Sequence, residues 1–411
     1  MRIRNSRTSS LWLCLLAALA AACLNACGGE SVVTTPTELK RWSGPHPNDS
    51  PLPPPQRRAI DRAANRALAA TRGQLPGMWL AVWEPRGGTY VAAYGESQRG
   101  GQAVPQDHVR IGSLTMTFTA TAMLRLIAQG RLQLDDTIAG VLPGLARDHP
   151  QLAHITISEL LSMQSGIPDY ANGGPVLRAV LRSPSRTWTP REVIDATLAR
   201  ARARPPDTPG WSATNYLILG EMLNEVDGDS VEQTVTGIAR QAGLSNTALA
   251  APSDVTLPDP VSDGYISRVG VAALADEGLR ARRGTDVGDW SVSAHAAAGG
   301  MYATIGELGV WAATGLGNAL LDTKTVEQRL RVTAIPPVGD YGLGIADYGN
   351  GWIGQTGRVL GWESLAAYNI RSGAVAAAAV NETASLPAAE HALAAAFPGL
   401  AKRLLAQPQV R

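Results

Sequence analysis

Cysteine is almost missing from this chain, and where it occurs is informative. Cys14, Cys23 and Cys27 are the three cysteines of 411 residues, all within the first 27 positions. The remaining 384 residues can form no disulfide and no thiolate metal site, so stability must come from a hydrophobic core. Lysine is almost as scarce: Lys40, Lys324 and Lys402 are the full set. A lysine-based chemistry has very few residues to draw on. Excess charge is absent as well. Three of the 36 basic residues lie in the first seven positions, which leaves 33 against 35 acidic ones, a net charge near −2. With no basic stripe carrying interleaved aromatics, a nucleic-acid partner is not expected. The six histidines show no ligand spacing, so neither a metal nor a cofactor is implied. Beyond the first 26 residues no apolar run reaches membrane-spanning length.

What is present begins at the N-terminus. Arg2, Arg4 and Arg7 precede an uninterrupted apolar run over 11–22. That run is short for a bilayer span and fits the hydrophobic region of a secretory signal. It closes on Leu24-Asn25-Ala26-Cys27-Gly28-Gly29, which resembles a bacterial lipobox. The expectation is a signal over 1–26, acylation of Cys27 and a lipid-anchored protein on the extracytoplasmic face of the membrane. Residues 27–55 are rich in Ser, Thr and Pro and read as a solvated tether. One globular domain is expected over 56–411.

Within it, Ile60, Ala63, Ala64, Ala67 and Leu68 share one helix face. Strands are expected over 78–83 and 89–94 around Pro85-Arg86-Gly87-Gly88, and again over 364–370 and 374–380. The run 374–380 is apolar throughout, as in a central strand covered on both faces. A last helix is expected over 390–405, and the stretch 115–290 reads mostly helical. The fold class implied is α/β of the α+β kind: an antiparallel sheet flanked by the terminal helices, with a mainly helical subdomain.

Ser113 precedes the apolar helix face of Met116, Ala120, Met123, Leu124 and Ile127. A helix N-terminus can stabilise an oxyanion, although a serine there is most often a plain cap. Six blocks in order give this serine a context. They are residues 113–136, Ile155-Thr156-Ile157-Ser158-Glu159-Leu160-Leu161-Ser162 with Ser165-Gly166-Ile167-Pro168-Asp169-Tyr170, Trp211-Ser212-Ala213-Thr214-Asn215-Tyr216-Leu217, Ala298-Gly299-Gly300-Met301-Tyr302, Tyr341-Gly342-Leu343-Gly344, and Gly354-Gln355-Thr356-Gly357. Together they resemble the serine β-lactamase and penicillin-binding family, on the branch of class C β-lactamases, D-alanyl-D-alanine carboxypeptidases and related esterases.

The resemblance implies Ser113 as nucleophile and the backbone amides of Ser113 and Arg358 as oxyanion donors. It also implies Ser-x-x-Lys, Tyr-x-Asn and a Lys or His before Thr-Gly. Here Met116 takes the lysine position, Trp211 the tyrosine, Ala213 the asparagine and Gln355 the cationic position. A thioether takes no proton at neutral pH, indole only donates, alanine offers no amide, and a glutamine carries no charge. His295 and Glu363 are the candidate substitute bases. Two readings follow: a binding or regulatory protein of the cell envelope that has lost its hydrolytic chemistry, or an acyl hydrolase using Ser113 with an unusual base. The ligand in either case is an envelope component or an acyl- or peptide-like small molecule. Trp211 and Trp362 are expected to line the cleft.

Overall fold

The computed structural model describes residues 31–32, 50–171, 174–199, 209–276, 278–336, 338–400 and 404. Cys27, Lys40 and Lys402, and with them most of the tether, lie outside the described residues.

The first helix, α1, spans Pro54–Ala70. It starts two residues before the expected domain boundary because Pro54 and Pro55 occupy the first helical positions, where a missing N–H is harmless. Ile60 and Ala64 form its buried stripe. The hairpin follows as β2 (Gly77–Glu84) and β3 (Gly88–Gln98), longer at both ends than the apolar pattern alone suggested.

The large sheet has ten strands, each antiparallel to its neighbours. From one edge run β1 (Ser31–Val32), β8 (Arg331–Ile335), β9 (Gly339–Tyr341), β10 (Ala346–Gly349), β11 (Trp352–Val359) and β12 (Trp362–Asn369). Then come β13 (Val375–Val380), β2, β3 and β4 (Gly101–Gln102). Ser31 and Val32, within the expected tether, pair with β8. A smaller sheet joins β5 (Val109–Arg110), β7 (Met301–Ala303) and β6 (Ala248–Leu249). β13 is buried at every position, so its place as a covered central strand holds. On the neighbouring β2 a helix comes close: a methyl on Gly309 would sit 3.4 Å from Ala81 Cβ.

Strand alternation decides which side of the sheet carries what. Ser364 on β12 donates from Oγ to the Ile111 carbonyl at 2.7 Å, so its face meets the segment that carries Ser113. Glu363, one residue earlier, faces the other side. There it accepts the Leu386 amide at 2.8 Å, at the start of the terminal helix Leu386–Leu393. That helix begins four residues earlier than expected and ends at Leu393, well short of 405, with Pro387 at its first turn. The helical subdomain is therefore on one face of the sheet, and the two terminal helices pack together on the other.

The helix after Ser113, α2 (Thr115–Ala128), is not amphipathic as expected but buried on nearly all sides. Its threonines make that possible by spending their hydroxyls locally. Thr117 Oγ1 donates to the Leu114 carbonyl and accepts from Trp311 Nε1 at 2.8 Å, while Thr119 Oγ1 donates to the Ala297 carbonyl at 2.8 Å. Phe118 stacks on Trp311 with ring centroids 3.6 Å apart.

Candidate active site

Ser113 occupies a 3₁₀ turn, Gly112–Leu114, that leads directly into α2. The turn is pressed against β11 so tightly that side chains are excluded on both sides. A methyl on Gly357 would fall 1.8 Å from the Ile111 carbonyl oxygen. Gly112 has a positive φ of +50°, and a methyl there would lie 2.6 Å from the Arg358 backbone nitrogen. These two glycines bring the Ser113 turn and the Arg358 backbone together. Ser113 is half-buried, and its hydroxyl has no hydrogen-bond partner among the described residues.

The four altered positions have these surroundings. Met116, in the first turn of α2, is fully buried. Trp211 is half-buried and sets its ring edge against Tyr341, with centroids 5.7 Å apart and planes at 81°. Ala213 buries its methyl group, and its amide donates to Asp169 Oδ1 at 3.1 Å. Gln355 shares a strand face with Gly357 and so points to the turn. It is buried, and its Oε1 has no partner among the described residues.

Each substitute base is already engaged. Glu363 accepts from Arg358 Nε at 2.5 Å and from the Leu386 amide, on the face of the sheet away from Ser113. Its contacts hold β11, β12 and the terminal helix together and lie away from the serine. His295 lies on the correct side. A methyl on Gly299 would touch both His295 Cβ, at 3.3 Å, and the Gly112 carbonyl carbon, at 3.6 Å. Its Nδ1, however, is 2.8 Å from the Tyr170 hydroxyl. Burial, and then the charge of Arg110, push its pKa down to about 4. A conjugate acid that strong makes the imidazole a poor proton acceptor for a hydroxyl at neutral pH. Lys324 is exposed on the helix Thr323–Arg329.

Three further residues to which the sequence reading assigned no role have distinctive surroundings. Asp169 accepts the amides of Ala171 and Ala213, and burial raises its carboxyl to about 6. Tyr170 was visible in its block but without a role. Arg110 is buried to 1% exposure, with Nη2 donating to the Val255 carbonyl and its plane lying 5.7 Å from the Trp362 ring. Trp362 is itself fully buried, with Gly264 pressed against its ring, so it does not line an open cleft as expected. The asparagine that does survive, Asn215, is structural: its amide accepts from Ser165 Oγ at 2.7 Å and donates to the Leu160 carbonyl. Two cavities, of about 440 and 600 Å³, lie elsewhere, and none of the residues round Ser113 lines either. Among the described residues no cluster of three His, Cys, Asp or Glu side chains could hold a metal, and no helix is long and apolar enough to cross a membrane.

The family described as Beta-lactamase matches residues 57–400, which takes in the whole sheet from β2 and every block round Ser113. The chain belongs to the beta-lactamase family. Among its relatives, penicillin-binding protein 4 of Amycolatopsis lactamdurans is 34% identical over 169 residues, 39% of this chain and 41% of that protein. The D-alanyl-D-alanine-carboxypeptidase/endopeptidase AmpH of Escherichia coli K12 is 28% identical over 166 residues, 39% of this chain and 42% of that protein. The chain thus spans about two fifths of the length of these curated relatives. Among solved structures, the D-stereospecific amidohydrolase from a Streptomyces species superposes with a TM-score of 0.69 at 25% identity, covering 82% of this chain and 98% of that one. The D-amino acid amidase of Ochrobactrum anthropi SV3 superposes with a TM-score of 0.71 at 21% identity, covering 84% and 99%, which shows the shared fold.

Proposed function

We propose that this beta-lactamase-family chain is an exported lipoprotein, acylated at Cys27, whose domain binds or regulates at the cell envelope and does not turn over acyl substrates. One observation carries the loss of chemistry: the position three residues after Ser113, on its own helix face, holds a fully buried thioether. Glu363 is paired elsewhere and His295 is a weak acceptor held by Tyr170, so neither expected substitute base is suited to take the Ser113 proton. A missing general base lowers a rate by about 10²–10⁴, and members of one catalytic unit fail together. Backbone amides such as those of Ser113 and Arg358 do not depend on side-chain identity, so the loss of the reactive side chains is compatible with holding a carbonyl of an acyl- or peptide-like ligand without cleaving it.

The competing reading is an active acyl hydrolase, favoured by the unpartnered Ser113 hydroxyl and by the structural likeness to the Streptomyces D-stereospecific amidohydrolase. Steady-state hydrolysis of nitrocefin, p-nitrophenyl acetate and D-phenylalanine amide separates the two. The proposal expects wild type and Ser113→Ala to give the same background rate on all three. A rate that falls at least about tenfold on Ser113→Ala establishes the hydrolase instead. Acylation is read independently, by incorporation of labelled palmitate that Cys27→Ala abolishes.

A further inference from the structure

The outer face of α1 is built against its own stability. Arg58, Arg62 and Arg66 follow one another at four-residue spacing along the side opposite Ile60 and Ala64, and all three are exposed. Like charges at that spacing repel. Arg57 also closes the first turn, which has no acidic residue, and Arg58 follows it, near the end where cations oppose the helix dipole. The helix has one acid, Asp61, and it is turned inward, where it accepts from the hydroxyls of Tyr90 and Tyr94. Among the described residues no carboxylate pairs with Arg58, Arg62 or Arg66. Arg72 extends the charge past the end of the helix. With Arg268 it lines the cavity of about 440 Å³, whose acid, Glu382, is buried and accepts from Ser385 Oγ.

A row of cations that local stability disfavours points to an external anion. We infer that the exposed face of α1 docks on anionic phospholipid headgroups, so that this side of the domain lies against the bilayer. Acylation of Cys27, four residues before Ser31, would limit how far the domain strays from the membrane without deciding which face meets it. Charge complementarity decides it. The inference takes its setting from the export reading, but its test does not use the lipid.

The mature chain from Cys27 onward, produced unacylated, is sedimented with vesicles of phosphatidylcholine alone and of phosphatidylcholine with phosphatidylglycerol. Binding is expected on the anionic vesicles only, and is expected to weaken steeply with salt. Each arginine near such a surface contributes about fivefold, so Arg58→Gln/Arg62→Gln/Arg66→Gln is expected to lose about a hundredfold in partitioning. That variant is expected to melt no lower than wild type, because the repulsion has gone. Arg147→Gln/Arg182→Gln/Arg240→Gln removes the same charge from other exposed sites and is expected to bind like wild type. Equal binding to neutral vesicles, undiminished binding by the α1 variant, or an equal loss in the control variant would overturn the inference. So would tighter binding to soluble polyphosphate than to anionic vesicles at equal phosphate. Palmitate labelling that fails while vesicle binding succeeds would remove the export reading alone.

Discussion

Met116→Lys is expected to lower stability at pH 7 by about 3–5 kcal/mol, and at the same time to make Ser113 react with a fluorophosphonate at least about a hundredfold faster than in wild type. Both effects have one origin. Position 116 is fully buried, and the groups that could pair with an ammonium there are replaced by Trp211 and Ala213. An unpartnered buried lysine sheds its proton, which depresses its pKa and makes it a competent base for a hydroxyl on its own helix face. Because its folded pKa would lie below its unfolded value near 10.4, the penalty is present at neutral pH and is recovered as pH rises toward about 10. Chemical denaturation of wild type and variant at pH 7 and pH 10 checks the first effect, and the labelling rate checks the second. A variant that loses stability and gains no reactivity would mean that more than a base is missing from the site.

Glu390 is expected to give the chain an unusual loss of stability as pH rises from about 4.5 to about 7. It is buried on the terminal helix, and its Oε2 has no partner among the described residues. Burial, and then the neighbouring Glu363 charge, raise its pKa to about 7 from 4.5. A raised folded pKa means that the native state holds the proton more tightly. The stabilisation is therefore complete below about pH 4.5 and is lost as pH passes through about 7, amounting to about 3 kcal/mol. His295 acts in the opposite sense: its lowered pKa removes stability as pH falls from 6.5 toward about 4. The two partly cancel in wild type, so the effect is read as a difference. Glu390→Gln is expected to overtake wild type in stability between pH 5 and 8, by chemical denaturation, whereas a parallel pH profile for the two would contradict the assignment.

Much of this architecture was legible because it is written in local patterns. The apolar run of β13 and the hairpin about Pro85-Arg86-Gly87-Gly88 follow from alternation and turn chemistry, and both stand in the structure. So does the Ser113 turn before α2. What was not legible depends on partners far away in sequence. Glu363 could be read as a possible base only until Arg358 and the Leu386 amide were seen on it. The engagement of His295 with Tyr170 joins residues 125 positions apart. Trp362 looked like a cleft residue because β12 passes the site, but its ring turns into the packing between Gly264 and Arg110. The end of the last helix was misplaced because an alanine- and leucine-rich stretch favours helix at every position and marks no boundary. The motif positions, by contrast, rest on the sequence alone: Met116, Trp211, Ala213 and Gln355 stand inside the blocks that resemble the family.

The most direct test of the central claim is intact-mass spectrometry of the purified mature chain after incubation with a fluorophosphonate and, separately, with a penicillin. The account predicts no adduct with either reagent in wild type or in Ser113→Ala, under conditions where a reactive serine hydrolase is fully modified. A stoichiometric adduct on wild type that disappears in Ser113→Ala would show that Ser113 is activated, and would contradict it.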